Sequence, residues 1–112
     1  MRINETIFKR YVQYITDKDR LRVQFKTLPS ERPTYSIQLE CTFENEEQWV
    51  RVIRADDFHD RPHLDIYSPC GKAKKQWLPD QMDNKENMKE AMRYLKKNWH
   101  LERKRYEKEL FG

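Results

Sequence analysis

The segment from Tyr35 to Phe43 constrains the fold of this chain more than any other. Its apolar residues stand at every second position, and the residues between them are polar; the apolar set is Tyr35, Ile37, Leu39, Cys41 and Phe43. Successive side chains of a β-strand point to opposite faces of a sheet, so this alternation predicts a strand with one buried face and one polar face.

Further strand patterns follow toward the C-terminus. Residues 49–54 are β-branched and aromatic, which is typical of a return strand. Two shorter patterns at 63–67 and 75–78 follow, each separated from its neighbour by a short polar turn. Together these patterns predict an antiparallel meander of four or five strands.

The N-terminal segment, residues 5–15, fits two structures. Its apolar residues lie on one face of a helix, but some of them also alternate as in a strand. A polar turn at 16–19 and an alternating pattern at 21–25 follow it. We favour a hairpin, and the sequence leaves the helix open as an alternative.

The last quarter of the chain predicts one long helix over 84–111. Asp83 and Glu86 have the spacing of a capping box. The apolar residues that follow recur at intervals of three, four or seven, at Met88, Met92, Leu95, Trp99, Tyr106 and Leu110. From Lys85 onward the helix holds the whole positive excess of a chain whose net charge is +4. Such a helix is longer than a small sheet is wide, so we expect the part after His100 to overhang the sheet or to pack on a second subunit.

These patterns predict one α+β domain over residues 1–112, mainly β over 1–83 and a basic amphipathic helix after that. The two cysteines have no paired spacing and are expected to be reduced thiols. No apolar run approaches the ~20 residues that cross a bilayer, and the N-terminus is unlike a signal peptide. We therefore expect a cytoplasmic protein that contacts no membrane.

Reactive side chains are densest between residues 54 and 65. His63 and Asp65 share a face if they lie on one strand, and Arg54 lies on the strand before it. A histidine beside carboxylates can exchange a proton near neutral pH, and an arginine can stabilise phosphate charge. We therefore predict that Arg54, Asp56, His63 and Asp65 form a catalytic set for acid–base chemistry on a phosphodiester. The alternative is a solvated polar loop.

The same stretch also carries residues that could bind a metal. His59 and His63, with Asp57 or Asp65, offer imidazole and carboxylate ligands suited to Zn, Mn or Fe. Pro62 breaks any helix between the two histidines, so their spacing does not place both rings on one face. The sequence therefore predicts no metal site and no other cofactor.

The helix supplies the predicted nucleic-acid contacts. Cationic side chains there surround two aromatic residues, Trp99 and Tyr106. A surface that binds nucleic acid needs both, because cations bind phosphates and aromatic rings stack on bases. The predicted contact residues are Lys96, Lys97, Arg103, Lys104 and Arg105. Alternatively, glutamates among these cations neutralise part of the charge, and the two rings belong to the core.

Several short stretches come in an order that resembles a known family. They are residues 35–40, 49–56, Pro62-His63-x-Asp65, Ser68-Pro69-Cys70-Gly71 with Trp77-Leu78, and 94–99 followed by 102–106. This set resembles a domain-of-unknown-function family of small bacterial and archaeal proteins, which is in turn similar to the TumE-like toxins of toxin–antitoxin modules. Cys70 departs from that pattern, because the related turn carries Asp before Gly.

The resemblance implies a meander packed on a helix, with Arg54, Asp56, His63 and Asp65 as the polar signature. It further implies a toxin-like protein that acts on RNA, with an antitoxin-like protein as partner. Two other functions stay open. One is a binding module for nucleic acid or protein without catalysis, and the other is a regulatory or structural subunit that forms a homodimer. The residues alone leave open whether the chain is an enzyme.

Overall fold

The computed structural model describes residues 6–28, 33–43, 48–57 and 61–112. Within these residues six strands precede one helix: β1 Ile7–Thr16, β2 Asp19–Thr27, β3 Thr34–Cys41, β4 Val50–Asp56, β5 His63–Tyr67, β6 Ala73–Trp77 and α1 Asn84–Phe111. The strands pair antiparallel in chain order from β1 to β6. The predicted α+β class, the meander and the C-terminal helix are confirmed.

The predicted number of strands was too low. The difference lies at the N-terminus, where residues 5–15 fitted a helix as well as a strand. The segment Ile7–Thr16 is strand β1, and it returns through a turn at 17–18 into β2. β1 is an edge strand whose two faces are largely exposed. Its sequence therefore does not separate an apolar face from a polar one, and this is why its pattern was ambiguous.

The core lies between the middle of the sheet and the helix, which packs on β3 and β4. Leu39 of β3 stands opposite Leu21 of β2 and Ile53 of β4, and all three are fully buried. Leu95 of the helix is fully buried in the same cluster. Burying a side chain of this size stabilises a fold by roughly 1.5–3 kcal/mol, so this cluster is the main source of stability.

Polar side chains fix the start of the helix. The Asp83 side chain caps it by accepting a hydrogen bond from the Lys85 backbone N–H at 2.9 Å. The amide of buried Asn84 donates to the Pro33 carbonyl and to the Asp57 carboxylate. Asp57 also accepts from the Tyr35 backbone N–H at 3.1 Å. These bonds tie the first turn of the helix to the loop after β4.

The last three turns of the helix are held on the sheet as well. Arg103 donates to the Thr42 carbonyl, and Arg105 donates to the carbonyls of Val52 and Tyr67. Tyr106 is buried and stacks on Phe43, with ring centroids 5.3 Å apart. The expected overhang after His100 is therefore wrong for this part of the helix. In the part of the chain that is described, no helix is long and apolar enough to cross a membrane.

Candidate active site

The face of the sheet away from the helix, which we call the open face, carries the predicted catalytic residues. In β4 and β5 the apolar side chains that alternate with them face the helix. Cross-strand pairing then places Arg54 opposite Asp65, and Asp56 opposite His63. Residues paired across antiparallel strands share a face, so these four side chains form one group. We call this group the Asp–His–Arg cluster.

His63 is the centre of the cluster, and its side chain is only 2% exposed. Its Nε2 atom lies 2.8 Å from Asp56 Oδ1 and 3.5 Å from Asp65 Oδ2. Its Nδ1 atom lies 3.0 Å from the Arg61 carbonyl oxygen. A carbonyl oxygen only accepts hydrogen bonds, so this contact is a hydrogen bond in the tautomer that has the proton on Nδ1.

The Nε2 atom lies against the two carboxylates in either tautomer. With a proton on Nε2, the ring donates to Asp56. With the proton on Nδ1, the Nε2 lone pair faces carboxylate oxygens, and a cation would fit between the ring and the two carboxylates.

Arg54 closes the cluster on its open side. Its Nε atom lies 3.0 Å from Asp56 Oδ2, and its Nη2 donates to Asp65 Oδ2 at 3.2 Å. About a third of the side chain is exposed. The guanidinium thus holds both carboxylates in place and still presents a positive surface to a ligand above the sheet.

The cluster forms the floor of an open groove of about 670 Å³. Polar side chains line the rest of it, among them Gln24, Ser36 and Lys75. This volume accommodates a phosphate and its neighbouring sugar. The lining is polar and charged, which suits a charged ligand better than an apolar one.

Arginine and lysine side chains stack on aromatic rings at the edge of the cluster. Trp77 stands opposite His63 across β5 and β6, with its ring centroid 5.5 Å from the imidazole. The guanidinium carbon of Arg61 lies 4.4 Å from the Trp77 centroid, and Lys75 Nζ lies 5.3 Å from it. A half-exposed indole with cations beside it offers a stacking surface for a planar group of a ligand.

A second stack lies on the other side of Arg54. The guanidinium carbon of Arg51 is 4.1 Å from the ring centroid of Tyr67. Burial raises the pKa of the Tyr67 hydroxyl above its ordinary value, although Arg54 and Arg51 oppose this effect. The phenol is therefore neutral at physiological pH and can donate a hydrogen bond.

The sequence analysis did not identify these stacking residues. Trp77, Lys75 and Arg51 belong to strands that were predicted, but their place beside the cluster depends on the pairing of β4 with β5 and of β5 with β6. The signal that could have found them is the antiparallel register, because it puts Trp77 directly opposite His63 and Lys75 opposite Asp65.

The predicted nucleic-acid residues of the helix fall into two groups. Arg103 pairs with Asp19, and Arg105 with Glu102 and Glu109, so both guanidiniums are occupied. The other three, Lys96, Lys97 and Lys104, are exposed. Contact of these five residues with nucleic acid stays a prediction.

The sequence also offered Asp57 and His59 as metal ligands. Asp57 turns toward the start of the helix, where it accepts hydrogen bonds from Tyr35 and Asn84. His59 lies outside the described residues. The three residues that do come together are Asp56, His63 and Asp65, whose ligand atoms all lie within 4.8 Å of one another.

Comparison with known proteins gives the family and nothing finer. A model for a domain of unknown function, DUF7718, matches residues 1–112, and the chain belongs to this family. No curated protein and no solved structure matches the chain. These comparisons contain no link to the TumE-like toxins. The antitoxin-like partner and the homodimer stay predictions.

Proposed function

We propose that this protein binds single-stranded RNA across the open face of the sheet and cleaves its backbone at the Asp–His–Arg cluster. One observation carries the proposal. Two carboxylates, a buried imidazole and a partly exposed arginine meet on the floor of an open groove. Such a combination is found where an enzyme must both hold a phosphate and move a proton.

The binding part of the proposal rests on the two stacks beside the groove. Arg51 on Tyr67 and Lys75 beside Trp77 place positive charge next to aromatic rings. Cations attract the phosphates of a strand, and the half-exposed Trp77 ring can stack on an unpaired base, whereas the buried Tyr67 ring supports the exposed Arg51. Paired bases are already stacked on each other, so these surfaces favour a single strand.

The chemical part rests on the position of Arg54. Its exposed surface can bind the non-bridging oxygens of a phosphodiester, where negative charge grows during the reaction. In RNA the adjacent 2′-hydroxyl is the nucleophile, so the protein does not have to position a separate one. The 2′ oxygen bonds to phosphorus and the bond from phosphorus to the 5′ oxygen breaks. The 2′ proton passes to the cluster, and the leaving 5′ oxygen takes a proton from water.

A second candidate is a binding module without catalysis. It is favoured by the burial of His63 and by the contacts of its Nε2 with the two carboxylates, which an ion network would make without any reaction. In that case the cluster is a structural ion network beneath a surface that only binds RNA.

Cleavage of a labelled, unstructured single-stranded RNA tests the proposal. Wild type is compared with Asp65→Asn, which changes the cluster with little change of shape, and with Asp17→Asn, which removes an equal charge from the exposed β1–β2 turn. We expect Asp65→Asn to cleave about a hundredfold more slowly and to bind RNA within a few-fold of wild type. Asp17→Asn should match wild type in both.

Two results would contradict cleavage at the cluster. Equal rates for Asp65→Asn and wild type would place the activity elsewhere, for example in a contaminating nuclease. Binding without cleavage by wild type would support the second candidate. The same variants, expressed in a bacterial culture at equal soluble levels, test the toxin-like role. We expect wild type to arrest growth and Asp65→Asn not to do so.

A further inference from the structure

We infer that Asp56, His63 and Asp65 bind one divalent transition-metal cation of the Mn²⁺ or Zn²⁺ class on the floor of the groove. The site is argued from the geometry of the three residues alone. The role of the ion in cleavage rests on the proposed function.

The first argument is the direction of the His63 ring. The ring points its Nε2 atom at the two carboxylates, and in the tautomer with the proton on Nδ1 it donates to the Arg61 carbonyl and presents the Nε2 lone pair to them. Metal-binding histidines are held in this way, with one nitrogen donating to a carbonyl or carboxylate and the other on the metal. The ring is almost fully buried, so its orientation is fixed before any ion binds.

The second argument is the spacing of the ligand atoms. Neighbouring ligands of an octahedral ion, each about 2.1 Å from it, lie about 3.0 Å apart. His63 Nε2 is 2.8 Å from Asp56 Oδ1 and 3.5 Å from Asp65 Oδ2. These separations bracket that value, so one ion can contact all three atoms with small movements of the side chains.

Arg54 holds both carboxylates of the cluster in place. Arg54 contacts Asp56 through Oδ2, and this leaves Oδ1 directed at His63. Arg54 also holds Asp65. Three protein ligands on the floor of an open groove leave further coordination positions for water or a phosphate oxygen, as catalytic metal sites do.

The net charge of the cluster indicates what the ion would do in RNA cleavage. Two carboxylates and one guanidinium leave the cluster negative when the imidazole is neutral, which repels a phosphodiester. A divalent ion makes the cluster positive, and it lowers the pKa of a bound water. The ion would in this way supply the base that accepts the 2′ proton of the RNA, after the bound water has lost its own proton to the solvent.

The competing occupant is a proton. A second proton on His63 would also separate the lone pairs, and the cluster would then be an ion network with no metal. The two occupants differ in measurable ways, because only the metal site binds Mn²⁺ at a stoichiometry of one and responds to EDTA.

The full chain is first freed of metal with EDTA and dialysed. It is then titrated with Mn²⁺ alone. Free Mn²⁺ is counted by electron paramagnetic resonance, and heat is measured by calorimetry. We expect one ion to bind per chain. In NMR spectra, paramagnetic Mn²⁺ should broaden the backbone amide signals of Asp56, His63 and Asp65 before those of the turn at 17–18. Asp65→Asn should weaken binding roughly tenfold or more, and Asp17→Asn should not change it. Zn²⁺ should displace the bound Mn²⁺.

Two outcomes would overturn the inference. One is the absence of binding for both ions up to about 1 mM, which is the weakest range of physiological metal sites. The other is binding at a different place, which would be shown by equal Mn²⁺ affinity of wild type and Asp65→Asn or by broadened amide signals that do not centre on the three residues. The proposed function fails separately. RNA cleavage that persists in EDTA overturns the role of the ion in cleavage and leaves both the cleavage and the metal site, whereas Mn²⁺ binding without RNA cleavage leaves the metal site and overturns the cleavage.

Discussion

The Arg103 guanidinium on the helix donates to the Asp19 carboxylate at the start of β2, at 2.6 Å and across 84 positions of sequence. Asp19 is buried, and a fifth of the Arg103 side chain is exposed. Burial alone would lower the pKa of Arg103, but the bond to Asp19 raises it above its ordinary value. The Arg103 guanidinium therefore stays charged, and its bond to Asp19 joins the helix to the second strand.

Replacing Arg103 by Met should lower the free energy of unfolding by about 2–3 kcal/mol, because it leaves the Asp19 carboxylate buried without its cation. Urea unfolding followed by circular dichroism measures the change. Lys104→Met is the matched control, since Lys104 is exposed; it should alter stability by less than about 0.5 kcal/mol. Adding Asp19→Asn to Arg103→Met should restore part of the loss. If Arg103→Met and Lys104→Met lowered the free energy of unfolding equally, the pair of Arg103 with Asp19 would contribute no more to stability than an exposed side chain does.

Glu40 should make stability depend on pH. Burial alone raises its pKa, but hydrogen bonds from Arg22, Arg20 and Gln38 hold the pKa below its ordinary value. A carboxyl whose pKa is lower in the folded state stabilises the fold above its unfolded pKa, and this contribution is lost as the pH falls through the folded pKa.

We therefore expect Glu40→Gln to destabilise the protein by about 1–3 kcal/mol at pH 7. The difference from wild type should shrink as the pH falls below the ordinary glutamate pKa of about 4.3 and should vanish once the pH is below the lowered pKa of folded Glu40. Urea unfolding across this pH range measures it. Glu90→Gln, on the exposed side of the helix, is the control and should show a small difference at every pH. A Glu40→Gln effect that does not vary with pH would mean that packing, and not charge, is what the residue supplies.

The two cysteines should differ sharply in reactivity. Cys41 is fully buried, and burial raises its thiol pKa far above the ordinary value, with a further increase from Asp19. Cys70 is exposed in the turn before Gly71. A thiol reagent such as Ellman's at neutral pH should therefore label one thiol per folded chain and the second only in urea. Cys70→Ser should abolish the fast reaction. Rapid labelling of two thiols in the native protein would show that the β3 end of the core opens readily.

The sequence predicted those parts of the fold that depend on periodicity. Alternation over 35–43 identified β3 and its buried face, and the stripe from Met88 identified the helix. The four catalytic candidates came together for the same reason, because a period of two puts Arg54 and Asp56 on one face, and His63 and Asp65 on one face. Periodicity says which face a side chain occupies.

Periodicity does not say which residue lies opposite, and the errors follow from this limit. Trp77 could not be placed beside His63 without the register of β5 and β6. The helical period likewise does not show whether a cationic side chain faces water or a backbone carbonyl. Arg105 reaches the carbonyls of Val52 and Tyr67, which are distant in sequence, so its structural role was invisible in the helix pattern.

The salt dependence of RNA binding should separate the open face from the helix. Arg51 and Lys75 are exposed on the open face, and Lys96 and Lys97 are exposed on the helix. Each neutralised phosphate contact makes the negative slope of log affinity against log salt steeper by about 0.7 for a single strand. The slope of an Arg51→Gln/Lys75→Gln variant should therefore be shallower than that of wild type by about 1.4.

The matched variant is Lys96→Gln/Lys97→Gln, which removes the same charge from the helix. If RNA lies on the open face, its slope should equal that of wild type, because the removed charges contact no phosphate. Fluorescence anisotropy of a labelled single strand at several salt concentrations, in EDTA to prevent metal-dependent cleavage, measures both slopes. A reduced slope for the helix variant and an unchanged one for the sheet variant would return the binding surface to the helix, where the charge of the sequence had placed it.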